Sequence, residues 1–252
     1  MNVIKTSEEI EKMRIAAALL ARCLDMLVIC SQPGHSSKEI DTVAEEFIRD
    51  HHAIPAFKNY GSSKNPFPAS ICFSRNSKVV HGVPAEDDII QEGDVITVDC
   101  GLSLDGWFAD AARLFGAGEL KEEDRNIIGA GKAALQAGVD ACVVGNKLGD
   151  VSHAIQLSVL NSSFYSVVEF CGHAIGKKMH EEPQVPNAGV KGRGLELEPG
   201  MVFCLEPILK KTKTQLAVLP DHWTIVTQDG TWVTHIEHMV LITETKPEIL
   251  TA

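Results

Sequence analysis

The sequence predicts an α+β protein of one domain, because helical and strand-type runs alternate along all 252 residues without a low-complexity linker and because one half of the chain repeats the other. Gly34-x4-Glu39-Ile40 recurs as Gly145-x4-Asp150-Val151, 111 positions later. Gly93-Asp94-Val95-Ile96-Thr97-Val98-Asp99 recurs as Gly200-Met201-Val202-Phe203-Cys204-Leu205-Glu206, 107 positions later. Near-equal offsets in the same order read as a duplication, over about 7–115 and 118–242, each half being helix, turn, helix and a strand that ends in a carboxylate. Two related halves pack as one α+β domain, and the cleft between them is the default site.

The first helix is expected from Ser7, with apolar residues at Ile10, Met13, Ala17, Leu20, Leu24 and Leu27, until Pro33-Gly34 ends the run. Ser36 or Ser37, followed by Glu39, starts a second helix whose apolar face is Ile40, Val43, Ala44, Phe47 and Ile48. The Gly, Ser, Asn and Pro of residues 55–68 read as a loop. Strands are expected at 70–73, 95–100 and 107–115. Two helices, about 122–143 and 147–160, lead into strands near 166–170, 201–209, 223–226 and 232–242.

Composition narrows the function. The net charge of −11 is the wrong sign for neutralising phosphates or docking on anionic lipid, so neither nucleic acid nor a membrane is an expected partner. The seven cysteines are an odd number without Cys-x-x-Cys spacing, as in a reduced cytosolic protein. The amino terminus carries charges from Lys5 to Arg14 where a signal peptide would be apolar, and Ala16–Cys30 is broken by Arg22 and Asp25. A cytoplasmic monomer is expected.

Four carboxylates stand where chemistry is possible. Asp99 ends an apolar strand and Asp110 lies on the returning one; with residues 104 and 105 as the turn, the two face each other as cross-strand neighbours. Such a pair repels unless a cation intervenes, and one pair can touch two metals about 3.5–4 Å apart. Glu206 and Glu237 interrupt apolar strands, where an inward carboxylate must be paired, protonated or metal-bound. Each also reads as an outward, solvated strand residue when taken alone. His81 in Val79-Val80-His81-Gly82-Val83-Pro84, His173 between Gly172 and Gly176, and His180 beside Glu181 are weaker candidates. Asp99, Asp110, His173, Glu206 and Glu237 together form a borderline-to-hard donor set suited to divalent Mn, Fe, Co or Zn.

This order of two Asp, a His between glycines and two Glu resembles the methionine aminopeptidases of the pita-bread fold, over nearly the full chain. The resembling pieces are residues 79–84, Asp99-Cys100-Gly101, Phe108-Ala109-Asp110, Gly172–Gly176 with His180-Glu181, Glu206-Pro207 and Glu237-His238. The resemblance implies two pseudo-twofold halves around a central antiparallel sheet with a dinuclear metal site. Asp99, Asp110 and Glu237 would hold one divalent ion, Asp110, His173, Glu206 and Glu237 the other, with Asp110 and Glu237 bridging. The short spacing between Glu206 and Glu237, and the lack of a Cys/His-rich extension, fit a minimal type I enzyme.

By the same resemblance the substrates are the amino termini of nascent polypeptides and peptides, with a small second residue preferred. Glu206 would be the general base, while His180 would bind the scissile carbonyl and His81 the scissile nitrogen. The pocket for the methionine side chain would be Phe67, Cys72, Met179 and Trp223. Counting back from Pro68, the family's two tyrosines become Lys64 and Phe67, and its Phe before His180 becomes Met179. Two other readings compete: a prolidase or aminopeptidase P, whose chains carry an added amino-terminal domain for which the 80 residues before His81 leave no space, and a non-catalytic peptide-binding protein of the same fold.

Overall fold

The computed structural model describes residues 3–252, so Met1 and Asn2 of the charged amino-terminal segment lie outside the described residues. Helix α1 (Ser7–Cys30) begins at Ser7, as the sequence predicts, with Thr6 as its cap. The Thr6 hydroxyl accepts from the Glu9 amide and the Glu9 carboxylate accepts from the Thr6 amide, which satisfies two otherwise orphaned donors. Ser36 and Glu39 repeat the device at α2 (Ser37–Asp50). Helices α3 (Glu122–Ala141) and α4 (Leu148–Leu160) complete the helical set among the described residues.

Helix α1 lays Met13, Leu20, Leu24 and Leu27 against Val98, Cys100 and Leu102 of one sheet and against Val202, Cys204 and Met239 of another. The first sheet is built on the hairpin Val95–Leu104 and Trp107–Gly116, with Ile71–Arg75 paired along the outer side of the former. In the second, the strands run Glu181–Pro186, Cys171–Ala174, Val202–Leu205, His238–Leu241 and Glu248–Ile249. Its opposite face, with Phe203, Leu205 and Val240, packs on Ile127, Leu135, Val151 and Ile155 of α3 and α4. Because both faces of Val202–Leu205 are covered, that strand reads as an unbroken apolar run. The two sheets meet where Ala112 and Glu237 exchange backbone hydrogen bonds of 3.2 Å.

The repeat positions of the sequence carry the same backbone in both halves. Gly34 and Gly145, between the paired helices, have φ of 97° and 87°, and Gly93 and Gly200, ahead of the ligand-bearing strands, 87° and 91°. These left-handed values favour glycine. An isolated bridge joins Ser36 to Ile89 in the first half and Lys147 to Glu196 in the second, at the same two offsets of 111 and 107.

Two long strands expected from the sequence are each split. The 201–209 run becomes Val202–Leu205 and Ile208–Lys210, and the 232–242 run becomes Val233–His235 and His238–Leu241. The outer pieces, with Tyr165–Ser166, form a separate three-stranded sheet. Pro207 cannot donate to a ladder, so the chain steps between sheets at Glu206-Pro207, and its neighbour strand steps at Ile236-Glu237. The apolar run near 166–170 is mostly irregular, and the 55–68 loop contains a small hairpin, Gly61–Ser62 with Asn65–Pro66.

Candidate metal centre and catalytic cleft

The hairpin that carries Asp99 and Asp110 turns one residue later than expected. Asp105 and Gly106 both have positive φ, 51° and 76°, and Leu104 pairs with Trp107. Asp-Gly is the strongest sequence signal for this two-residue turn. The register is therefore shifted by two: Asp99 stands opposite Ala112, and Asp110 opposite Gly101. A shift of two keeps both side chains on the same face, as diagonal rather than directly opposed neighbours. That face is turned away from α1, since the alternate residues Val98, Cys100, Ala109 and Ala111 belong to the α1 core.

Glu237 joins the two aspartates at the junction of the sheets. One carboxylate oxygen from each of Asp99, Asp110 and Glu237 lies within 4.8 Å of the others. Asp99 Oδ1, Asp110 Oδ1 and Glu237 Oε1 are buried and have no hydrogen-bond partner among the described residues. His173 closes the cluster, its Nε2 3.8 Å from Asp110 Oδ2. The His173 Nδ1–H donates to the Ala174 carbonyl at 3.0 Å, which leaves a lone pair on Nε2 pointing at the carboxylates. Gly172 permits this: a Cβ there would sit 2.1 Å from the Cys204 carbonyl oxygen, on the strand that pairs with it. Glu206 follows that strand directly, at the step between sheets.

The electrostatics are those of a site built for positive charge. Burial raises Asp99 to about 8. Asp110, Glu206 and Glu237 are also pushed well above the carboxylate range, first by burial and then by one another and by Asp99. Burial takes His173 down to about 4, and lowers His81 and His180 as well, so all three rings are neutral near pH 7. Without a cation, the folded chain holds protons that the unfolded chain, with carboxylates near ~4, has released. Stability of the metal-free protein is therefore fully present below that value and is lost as pH rises through about 8. Above pH 7, where the lowered histidines are neutral in both states, calorimetric melting of chelator-stripped protein should show Tm falling from pH 7 to pH 9, and added Mn should raise Tm more at the higher pH.

These residues line a cavity of about 450 Å³. Phe67, Cys72 and Met179 are buried and pack with Phe57, and Trp223 closes the wall edge-to-face on Phe67 at 5.2 Å. His81, held at φ 55°, and His180 stand at the mouth. Lys64 does not line the cavity. It sits exposed at the turn of the Gly61–Pro66 hairpin, and Tyr60 occupies the cavity wall instead. Counting back from Pro68 missed Tyr60 because the hairpin adds residues between the two aromatic positions; Tyr60 directly before Gly61 was the available signal. The Tyr60 hydroxyl lies 2.6 Å from His180 Nδ1. Phe57, Phe170 and His235 also line the cavity, and nothing in their spacing marked them.

Residues 11–244 match metallopeptidase family M24. The chain is 44% identical over 251 residues to a methionine aminopeptidase of Clostridium acetobutylicum, covering 100% of this chain and 99% of that one. It superposes on the crystal structure of methionine aminopeptidase from Rickettsia prowazekii with a TM-score of 0.94 at 32% identity, over 99% of both chains. A prolidase from Pyrococcus furiosus shares the fold at a TM-score of 0.77 and 20% identity, with 66% of that chain covered.

Proposed function

This chain belongs to metallopeptidase family M24, and on that footing we propose that its reaction centre is the cluster of Asp99, Asp110, His173, Glu206 and Glu237. The fold is the pita-bread fold of the methionine aminopeptidases, and the activity is hydrolytic removal of the amino-terminal methionine from peptides by a divalent-metal enzyme. The observation that carries the choice of centre is the convergence of Asp99, Asp110 and Glu237, each with a buried carboxylate oxygen that has no partner among the described residues. Such a set is costly unless cations offset it. The donors fit divalent ions of the Mn, Fe, Co or Zn kind: Asp99, Asp110 and Glu237 would hold one, and Asp110, His173, Glu206 and Glu237 would hold a second.

Divalent ions bound there supply a water acidified toward neutral pH and a Lewis acid for the scissile carbonyl. Glu206 accepts the proton of the attacking water at its carboxylate and delivers it to the leaving amine. With Tyr60 donating to Nδ1, His180 carries its proton on Nε2, from which it donates to the carbonyl oxygen as charge develops there. His81 binds the scissile nitrogen. Phe67, Cys72, Met179 and Trp223 enclose the methionine side chain, and the thioether suits their irregular apolar wall.

The natural substrates in this reading are nascent chains with a small second residue, met by a monomer in the cytoplasm. The seven free thiols fit a reducing compartment, and among the described residues no helix is long and apolar enough to cross a membrane. The charge of −11 argues against a nucleic-acid partner. The whole is read as one catalytic domain of two duplicated halves, a reading supported by the paired glycines and bridges. Activity on Met-Ala-Ser against Gly-Pro, with Mn or Co added, tests the reaction. Release of free methionine from the tripeptide is expected; cleavage of Gly-Pro alone would overturn it in favour of a prolidase.

A further inference from the structure

His235 is a buried cavity residue to which the reaction above gives no part. It ends the Val233–His235 strand, paired with Ile208 across the three-stranded sheet, and only 4% of it is exposed. Its backbone carbonyl accepts from Thr97 Oγ1 at 2.8 Å, which ties the residue to the strand that bears Asp99. The ring Nε2 is buried and has no hydrogen-bond partner among the described residues. The nearest ionisable atom recorded for it is Glu206 Oε2, at 4.0 Å.

A neutral imidazole has one N–H and one lone pair, and a carboxylate can only accept. A lone pair turned toward an ionised Glu206 would repel it, so the tautomer that suits this pair carries its hydrogen on Nε2. We infer that His235 is a positioning residue for Glu206: its Nε2–H donates to Glu206 Oε2 and holds the carboxylate so that its second oxygen faces the attacked bond. The 4.0 Å separation is longer than a hydrogen bond, and catalytic contacts of this kind tighten when a site is loaded. No other hydrogen-bond donor to the Glu206 side chain is present among the described residues, whereas the histidine ligand His173 has its Ala174 anchor. The inference rests on Glu206 being the base, as proposed above.

The test compares His235→Leu, which removes the donor while keeping an apolar side chain of similar reach, with His235→Gln, which restores an N–H donor. Three readouts are taken: kcat and KM on Met-Ala-Ser, Mn affinity by titration calorimetry of chelator-stripped protein, and Tm. The expected result is a fall of about 10- to 100-fold in kcat for His235→Leu with KM little changed, and about tenfold weaker Mn binding, as for other groups that orient ligands. His235→Gln should recover most of both losses at equal Tm. Equal behaviour of the two variants, whether both intact or both impaired alongside a lowered Tm, would show that His235 only packs. If wild-type protein releases no methionine, the reaction reading fails, while the difference in Mn affinity between Leu and Gln still decides the role of His235.

Discussion

Asp110→Ala should reduce methionine release by at least ~10³-fold, more than the 10- to 100-fold typical of groups that merely orient a ligand. Asp110, like Glu237, is shared between two groupings of the cluster. It lies with Asp99 and Glu237 in one group and with His173 in another, and it is proposed to bridge both ions. Its loss removes a donor from each. The same substitution should leave the metal-free fold no less stable. Burial and the neighbouring Glu237 and Asp99 hold its carboxyl well above the usual range, so in the metal-free protein the substitution removes a neutral buried group whose Oδ1 has no hydrogen-bond partner among the described residues. Its backbone is flanked by Ala109, Ala111 and Ala112, so an alanine fits the strand. An excess of chelator on wild-type protein should reproduce the loss, and Mn or Co should reverse it. A rate unchanged by either treatment would sink the metal mechanism, and a collapsed Tm would mean that Asp110 serves the fold instead.

What the sequence disclosed and what it hid divide along physical lines. Alternation on the strand placed Asp99 and Asp110 on one face, and that survived a wrong register because a shift of two preserves the face. The turn falls one residue later than the strand spacing predicts, because Asp105 and Gly106 are the pair that takes the left-handed conformation of a two-residue turn. Glu206 and Glu237 were visible as charges inside apolar runs. That the runs break at those residues was not visible, since the pieces on either side are equally apolar and differ only in which sheet they join. Hairpin lengthening hid Tyr60, because a pocket assembled across loops does not preserve counting from a fixed proline. His235 had no signal at all: one histidine in a strand gains meaning only when the chain brings it to Glu206. The duplication was legible through glycine, since Gly34, Gly93, Gly145 and Gly200 all take conformations that other residues adopt at a cost.

Glu206→Gln should lower kcat by about 10²- to 10⁴-fold, the range for loss of a positioned general base. Asp99, Asp110 and Glu237 each bury an oxygen without a partner, as dedicated ligands would. Glu206 keeps 14% of its side chain exposed, against 4% for Asp110, which leaves room for a substrate bond beside it. A carboxylate beside the attacking water can hold its proton briefly and return it to the leaving amine. Glutamine preserves the shape and one coordinating oxygen but cannot take the proton. Metal affinity and KM for Met-Ala-Ser should therefore change far less than kcat, a separation that Asp110→Ala would not show. Should Glu206→Gln stay within about tenfold of wild type, the proton must go elsewhere. The neutral His180, 2.6 Å from the Tyr60 hydroxyl, would then be the base, and Tyr60→Phe would become the variant that impairs turnover.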